Sequence, residues 1–375
     1  MRASGSLVLV ATLAACGGGV DQGGPGDGGS GADAAHIPGS PDAAPGVPGP
    51  ELGTGDHTPG SVDLVVELAG NDLDRPMDLD FDPQSGRLWI VNQGNNGWTI
   101  IDNVESAART IKHFADDSGH FLDQPASISF HGSEKALATC QESTNHGDQF
   151  MGPTAWTSDM ALFTGDHNSH YDMLHESGNC VGIAWTEEHV WWVFNGRRGA
   201  LDRNNFHGWH PDVPGGLGGE DHSDGEIFRY ADGALARVAG VPGGMKNDAA
   251  AHLLYVADTG HGRVVRIDSK ARTGTSIPSL NDEVPLYRVD GVQLEEVIAP
   301  GVLAQPSGLD LHKDLIYVAD HASGVIAAFT LAGVKVNWLD TGLGGGHVTS
   351  LAISPSGHLH FLDTAGNKLY RIDPH

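Results

Sequence analysis

The sequence predicts an all-β chain, a six-bladed β-propeller in which an N-terminal strand closes the last blade. Three observations lead there. One design recurs six times: apolar strand, tight turn, second apolar strand ending in a small or polar residue, tight turn, third strand. Helical periodicity is nearly absent, and 53 glycines with Asp-Pro and Ser-Gly turns punctuate short strands. The sixth copy stops after its third strand, while an unassigned strand precedes the first copy.

The amino terminus reads as a secretory signal. "MRASGSLVLVATLAAC" has a basic residue at Arg2, an apolar run from Leu7 to Ala14 and small residues before Cys16. The run is too short to span a bilayer as a stable helix. Leu13-Ala14-Ala15-Cys16 resembles the bacterial lipobox. That resemblance implies removal of residues 1–15 and lipid attachment to Cys16. Gly17 after it is compatible with outer-membrane sorting, so the expected location is the outer membrane, facing the periplasm or cell surface.

Residues 16–60 are Gly, Pro, Ala, Asp and Ser with almost nothing to bury. Such a chain cannot offset its ordering entropy, so a disordered tether is expected. His36 and His57 fall in it and receive no role.

Residues 61–375 carry the propeller. The copies begin near Arg75, Gln124, Cys180, Asn247, Ser307 and Thr349, and their second strands end at Asn92, Cys140, Asn195, Asp258, Asp320 and Asp363. The intervals are 48, 55, 63, 62 and 43 residues. Four-stranded blades need ~40–50 residues each, and insertions add to that. The strand "VDLVVEL", residues 62–68, pairs in this reading with the final "NKLYRID" and closes the ring, which hides two sheet edges.

The stretches "YVADTGHGRVVRID", "IYVADHASGVIAAF" and "FLDTAGNKLYRID" resemble the NHL-type six-bladed propellers. The resemblance covers about 310 residues and implies an Asp at the end of strand two paired with a base in strand three. Asp258 with Arg263 and Asp363 with Lys368 match, whereas Asp320 meets Val325. It implies a fold and no particular function. The peptidyl-amidating lyase domain is a propeller of the same blade number, with zinc-binding histidines following a proline. Here Met77, Ala126 and Ser307 follow the corresponding prolines, so that site is not reproduced. Met77 and Met245 begin inner strands on opposite blades, where they can form a soft-metal pair or, the favoured reading, plug the channel.

Net charge is −27, from 48 acidic and 21 basic residues. Nucleic acid would be repelled and is excluded as a partner. No G-x-S-x-G, H-E-x-x-H, phosphate loop or dinucleotide fingerprint occurs.

Histidine supplies the candidate chemistry. "DHNSHYDMLHESGNC", Asp166 to Cys180, reads as the link from blade two to blade three. In a four-stranded blade such links share one face, the top, with the second-to-third loops. His170 and His175 from this link are expected to meet His347, which enters blade six, and His321, in a top loop of blade five. His222 joins them if the insertion 206–226 folds upward. Imidazoles with few thiolates suit Zn²⁺ or Cu²⁺. Glu220, Asp221, His222 and Asp224 form a second option, a Ca²⁺ loop. His131, His189, His252 and His312 lie in turns of the opposite face, one per blade. Cys140 and Cys180 end up on adjacent blades in an oxidising compartment, so a disulfide is expected.

These residues allow two functions. One is a lipid-anchored propeller with a His-lined metal site on its top face, acting as a metal-dependent enzyme on a small or peptide substrate. The other is a non-catalytic platform for a peptide, glycan or protein.

Overall fold

The computed structural model describes residues 48–375, apart from 117–118, 146, 148–149, 211–212, 220, 222–223 and 282–283. Six sheets form the six blades, five of them four-stranded and antiparallel. Their inner strands are Pro76–Phe81, Pro125–Phe130, Cys180–Glu187, Met245–Asp248, Pro306–His312 and Val348–Ile353. Second strands such as Leu88–Asn92 and Val190–Asn195 are buried along their whole length. That is why they read as unbroken apolar runs. The outer strand Thr110–Ala115 lies at the edge of its blade and has no buried residue, only Ile111 and Phe114 being partly covered.

The ring closes as the repeats predict. Val62–Ala69 pairs antiparallel with Lys368–Pro374, with Val62 opposite Pro374 and Ala69 opposite Lys368. Blade six therefore takes three strands from the end of the chain and one from before blade one. The core is divided in the same way, into apolar clusters that each join neighbouring blades. Trp89, Trp98 and Trp156 knit blade one to blade two. Val181, Trp192, Met245 and Val256 knit three to four. Phe361, Tyr370, Tyr317 and Leu339 knit five to six.

Carboxylate latches hold the tops of blades four, five and six. Asp258 accepts the Ala236 amide at 2.8 Å and the Arg263 guanidinium at 2.7 Å. Asp320 accepts the amides of Ala304 and Gln305 at 3.1 and 2.8 Å. Asp363 accepts His347 Nδ1–H and the Gly366 amide, both at 2.7 Å. The expected Asp363–Lys368 pair does not form. The two residues are opposite in register, yet Lys368 turns to the Tyr370 hydroxyl at 3.4 Å and His347 takes its place.

Three segments depart from the sequence reading. Residues 48–60, placed in a tether expected to bury nothing, lie on blade five. There Leu52 is 1 % exposed, and Glu51 bonds Lys313 at 2.9 Å and the Tyr317 hydroxyl. His170–Met173 is the outer strand of blade two, so only residues 174–179 link it to blade three. Blade four sends out a hairpin, Thr275–Ile277 and Leu286–Val289, whose second strand pairs in parallel with Glu226–Tyr230 of blade three. This excursion accounts for the long interval before blade five.

The channel is closed within itself. Asp78, on blade one, accepts Ser127 Oγ at 2.6 Å from blade two and Ser350 Oγ from blade six. Gly182, Gly244 and Gly308 line the same level on blades three, four and five. A Cβ there would lie 2.0–2.5 Å from backbone atoms of the next blade, so only glycine fits. One level below stand Asp80, Ser129, Ala184, Lys246, Asp310 and Ala352, in equivalent register on the six blades. Lys246 Nζ reaches Asp80 at 2.9 Å across the channel and Asp310 at 3.7 Å on the next blade. Burial lowers the Lys246 pKa and the two carboxylates more than reverse this. Above, the link from blade three to blade four crosses the axis. Its Gly240 amide bonds Glu142 of blade two, and the Gly243 and Gly244 amides bond Val181 and Ser307 carbonyls of blades three and five.

Candidate functional site

The expected top-face ligands separate into two places. His321 Nδ1–H donates to the Val348 carbonyl at 2.9 Å, and His347 Nδ1–H to Asp363 at 2.7 Å. Both sit at the junction of blades five and six with Nδ1 committed to structure. His170 opens the outer strand of blade two and is fully buried, its Nδ1–H donating to the His167 carbonyl at 2.6 Å. Membership of that strand places it away from the axis, against expectation. Its ring lies 4.8 Å from His210 and 4.1 Å from Phe121. His175 stacks on Phe150 at 4.0 Å, beside His120 at 5.9 Å. The insertion that carries His210 packs against the blade-two outer strand, through Gly218 N–H to His170 O and Tyr171 stacked on Trp209. His222 and Glu220, and with them the Ca²⁺-loop reading, lie outside the described residues.

Cys140 and Cys180 form a disulfide, with Cα atoms 5.3 Å apart. It ties the end of strand two in blade two to the start of blade three, and so bounds the histidine-rich stretch.

A group of ligand side chains does converge, on the lower face. Among the described residues, His131, Glu134 and His189 are the one trio whose donor atoms all lie within 4.8 Å of one another. His131 and Glu134 come from the first turn of blade two and His189 from the equivalent turn of blade three. Counted blade by blade, each histidine looks isolated. Adjacent blades juxtapose equivalent turns, and that is the signal the sequence holds.

The three side chains are prepared differently. His189 Nδ1–H donates to the His207 carbonyl at 3.1 Å, which leaves the Nε2 lone pair facing Glu134 Oε2 at 3.4 Å. Two ligand atoms on a tetrahedral Zn²⁺, each about 2.0–2.2 Å from the metal, are roughly 3.3–3.5 Å apart. A carbonyl on the far nitrogen is the usual support of a metal-binding imidazole. His131 is only 2 % exposed, and its Nδ1 accepts the Ser133 and Glu134 amides at 3.1 and 2.9 Å. Its proton is therefore on Nε2, a buried atom without a hydrogen-bond partner of normal geometry. Burial, working against the nearby Glu134 charge, lowers its pKa and keeps the ring neutral. The trio thus fits a metal as two ligands, Glu134 and His189, beside a buried N–H set to donate to whatever completes the coordination. One imidazole with one carboxylate suits Zn²⁺ or Cu²⁺ better than Ca²⁺.

Aromatic rings surround the trio. Trp209 lies 4.2 Å from His189, and Trp185 lies 4.9 Å from His131. Gly132 makes room for Trp185, since a Cβ there would lie 2.5 Å from its ring.

No protein-family model matches the chain, and no curated protein matches it in sequence. Solved structures do match in fold. A protein of unknown function from Bacteroides thetaiotaomicron superposes with a TM-score of 0.54 at 11 % identity, over 83 % of this chain and 72 % of that one. An auxiliary nutrient binding protein from the same organism gives 0.53 at 11 % identity, over 80 % and 69 %. The calcium-binding protein regucalcin from Agrobacterium tumefaciens gives 0.52 at 14 % identity, over 84 % and 96 %. These likenesses establish the propeller fold.

Proposed function

We propose that this protein is an extracytoplasmic binding propeller that holds a divalent transition-metal ion at the lower rim between blades two and three. The observation that carries this reading is the His189 Nε2–Glu134 Oε2 pair, spaced for one metal, with His189 oriented by a backbone carbonyl. The aromatic rings around it supply stacking surface for a small-molecule or peptide ligand. The channel favours a rim site, because its top is bridged by the Glu142–Gly240 contact and its lower level by Lys246. A binding role is also what the descriptions of two fold neighbours name, a nutrient in one and calcium in the other. The lipid anchor at Cys16 and the outer-membrane location belong to this proposal. The disulfide suits an oxidising compartment, and among the described residues no helix is long and apolar enough to cross a membrane.

The test is a Zn²⁺ titration of the full chain, purified without an affinity tag, beside H189A and E134Q. Both variants should lose at least tenfold in affinity for one equivalent while keeping the parent's melting profile. Binding undiminished in both would reject the rim site.

A further inference from the structure

The outer edge of blade five carries an exposed apolar patch with a lysine beside it. Trp338 is 38 % and Val334 61 % exposed. Trp338 lies on the outer strand Lys335–Asp340, and Val334 immediately precedes that strand. Between Lys335 and Asn337 the register slips, so that Val336 bulges. The bulge turns Lys335 to the face that carries Trp338, and Lys335 Nζ lies 4.8 Å from the indole centroid. Among the described residues no carboxylate pairs with Lys335, in a chain of net charge −27.

The indole is held rigidly by the segment that lies over blade five. His57 stacks on it at 3.6 Å and donates Nδ1–H to the Trp338 carbonyl at 2.8 Å. The His57 carbonyl accepts the Asp340 amide at 2.9 Å. His57 makes these contacts at a φ of 66°, a conformation that residues with a side chain rarely adopt. On the same strand Asn337 Nδ2 donates to the Gly49 and Gly53 carbonyls, each at 2.8 Å. The chain from Cys16 therefore arrives at this edge and is fixed there, with 31 residues, 17–47, in between.

A rigid Trp, an aliphatic neighbour and a lysine whose stem lies along apolar surface while its ammonium reaches phosphate suit a membrane interface. Two apolar side chains cannot supply the ~800 Å² per partner of a stable protein–protein interface. A lipid surface demands less, because an anchored chain meets it intramolecularly, at an effective concentration on the order of mM. The turn before the strand packs on Val297 of blade four, whose outer strand begins with Glu295 and Glu296. Those carboxylates favour a zwitterionic surface over an anionic one.

We propose that the outer edge of blade five, through Trp338, Val334 and Lys335, docks on the zwitterionic lipid surface in which the chain is anchored. The proposal rests on the reading of Cys16 as the lipid-bearing residue. In a six-bladed ring blade five stands opposite blade two. The docked propeller therefore turns the rim trio of blades two and three away from the bilayer and leaves it open to ligand.

The experiment reconstitutes the full, lipid-modified chain into phosphatidylcholine vesicles with and without bromine on the acyl chains. Tryptophan emission is read on the floated vesicles. Of the eight tryptophans, Trp89, Trp98, Trp156, Trp191 and Trp192 are buried, and Trp185 and Trp209 lie at the rim site. Bromine should quench part of the parent's emission, and W338F, which keeps a ring for His57 to stack on, should lose most of that quenching. V334D, at an exposed position, should reduce it while keeping the parent's melting profile. A chain that does not float with the vesicles overturns the anchor and the docking with it. A chain that floats but is not quenched, or is quenched equally in W338F, overturns the docking and leaves the anchor standing. A dimer in detergent solution that W338F dissolves would assign the patch to a second copy and overturn the proposal as well.

Discussion

Glu142, at the top of blade two, accepts the Gly240 amide from the blade-three to blade-four link, with oxygens 2.9 and 3.0 Å away. Arg237 of the same link closes an ion pair on that carboxylate. Glu142 is almost fully buried while Arg237 keeps partial contact with solvent. Removing one partner of such a pair leaves the other poorly compensated. Glu142→Ala should therefore destabilise by about 2–4 kcal/mol. It should also expose residues 231–244 to limited proteolysis. A variant that melts like the parent and resists cleavage there would show that the link does not depend on Glu142.

Leu52 anchors the segment that runs over blade five. It is 1 % exposed and packs with Tyr317, Ala328 and Leu339. Leu52→Ala should cost about 2–4 kcal/mol, as for other buried leucines. A chain shortened through residue 58 should lose comparable stability yet still unfold cooperatively. Deletion through residue 70 removes the closing strand and should abolish cooperative unfolding. Denaturant melts of the three proteins separate these outcomes, and equal midpoints for parent and Leu52→Ala would refute the anchor.

The repeats make the fold legible, and the reason is physical. The second strand of each blade is buried over most or all of its length, and this leaves apolar runs such as "LWIV" and "VWWVF" that recur with the blade period. Ring closure is readable from a strand left over at one end and a vacancy at the other. The segment over blade five is not, because Glu51 and Leu52 are two residues in a Gly/Pro-rich background and their partners lie far along the chain. Nor is the crossing link, whose Gly240 amide and Arg237 side chain meet Glu142 from 95 to 98 residues further along the chain. The sequence misleads about the site where strand count matters. Reading Asp166–Cys180 as one link puts His170 near the axis, whereas His170–Met173 forms the outer strand. The lower-rim trio needs only one further step, the alignment of "FHGSE" with "TEEHV" on adjacent blades.

The disulfide closes a loop of 40 residues. In the chain-entropy model such a loop stabilises by roughly 3–4 kcal/mol. The Cys140→Ser/Cys180→Ser double variant should lose that much in a reversible denaturant melt. It should also loosen residues 141–179 in hydrogen exchange. Unchanged stability would mean that the strands flanking the bond hold this region without it.

Asp78 makes stability depend on pH with the less usual sign. Burial raises its pKa to about 6, against the Ser127 and Ser350 hydroxyls and the Ile128 amide. The folded state then holds a proton that the unfolded chain, titrating near 3.8, has already released. Stability from this group is present in full below about pH 4 and is lost as pH rises through 6. The slope integrates to about 1–3 kcal/mol. Asp78→Asn should flatten the stability profile between pH 4 and 6 relative to the parent. Parallel profiles for the two proteins would show that Asp78 does not titrate there.

The claim that this is a metal-holding propeller rests on the lower rim, and metal stoichiometry tests it most directly. The measurement is elemental analysis of the full, untagged chain after Zn²⁺ loading and exhaustive dialysis, compared with H189A. Near one equivalent of zinc in the parent and near none in H189A is the predicted result. No retained zinc in the parent, or equal zinc in both proteins, would contradict it.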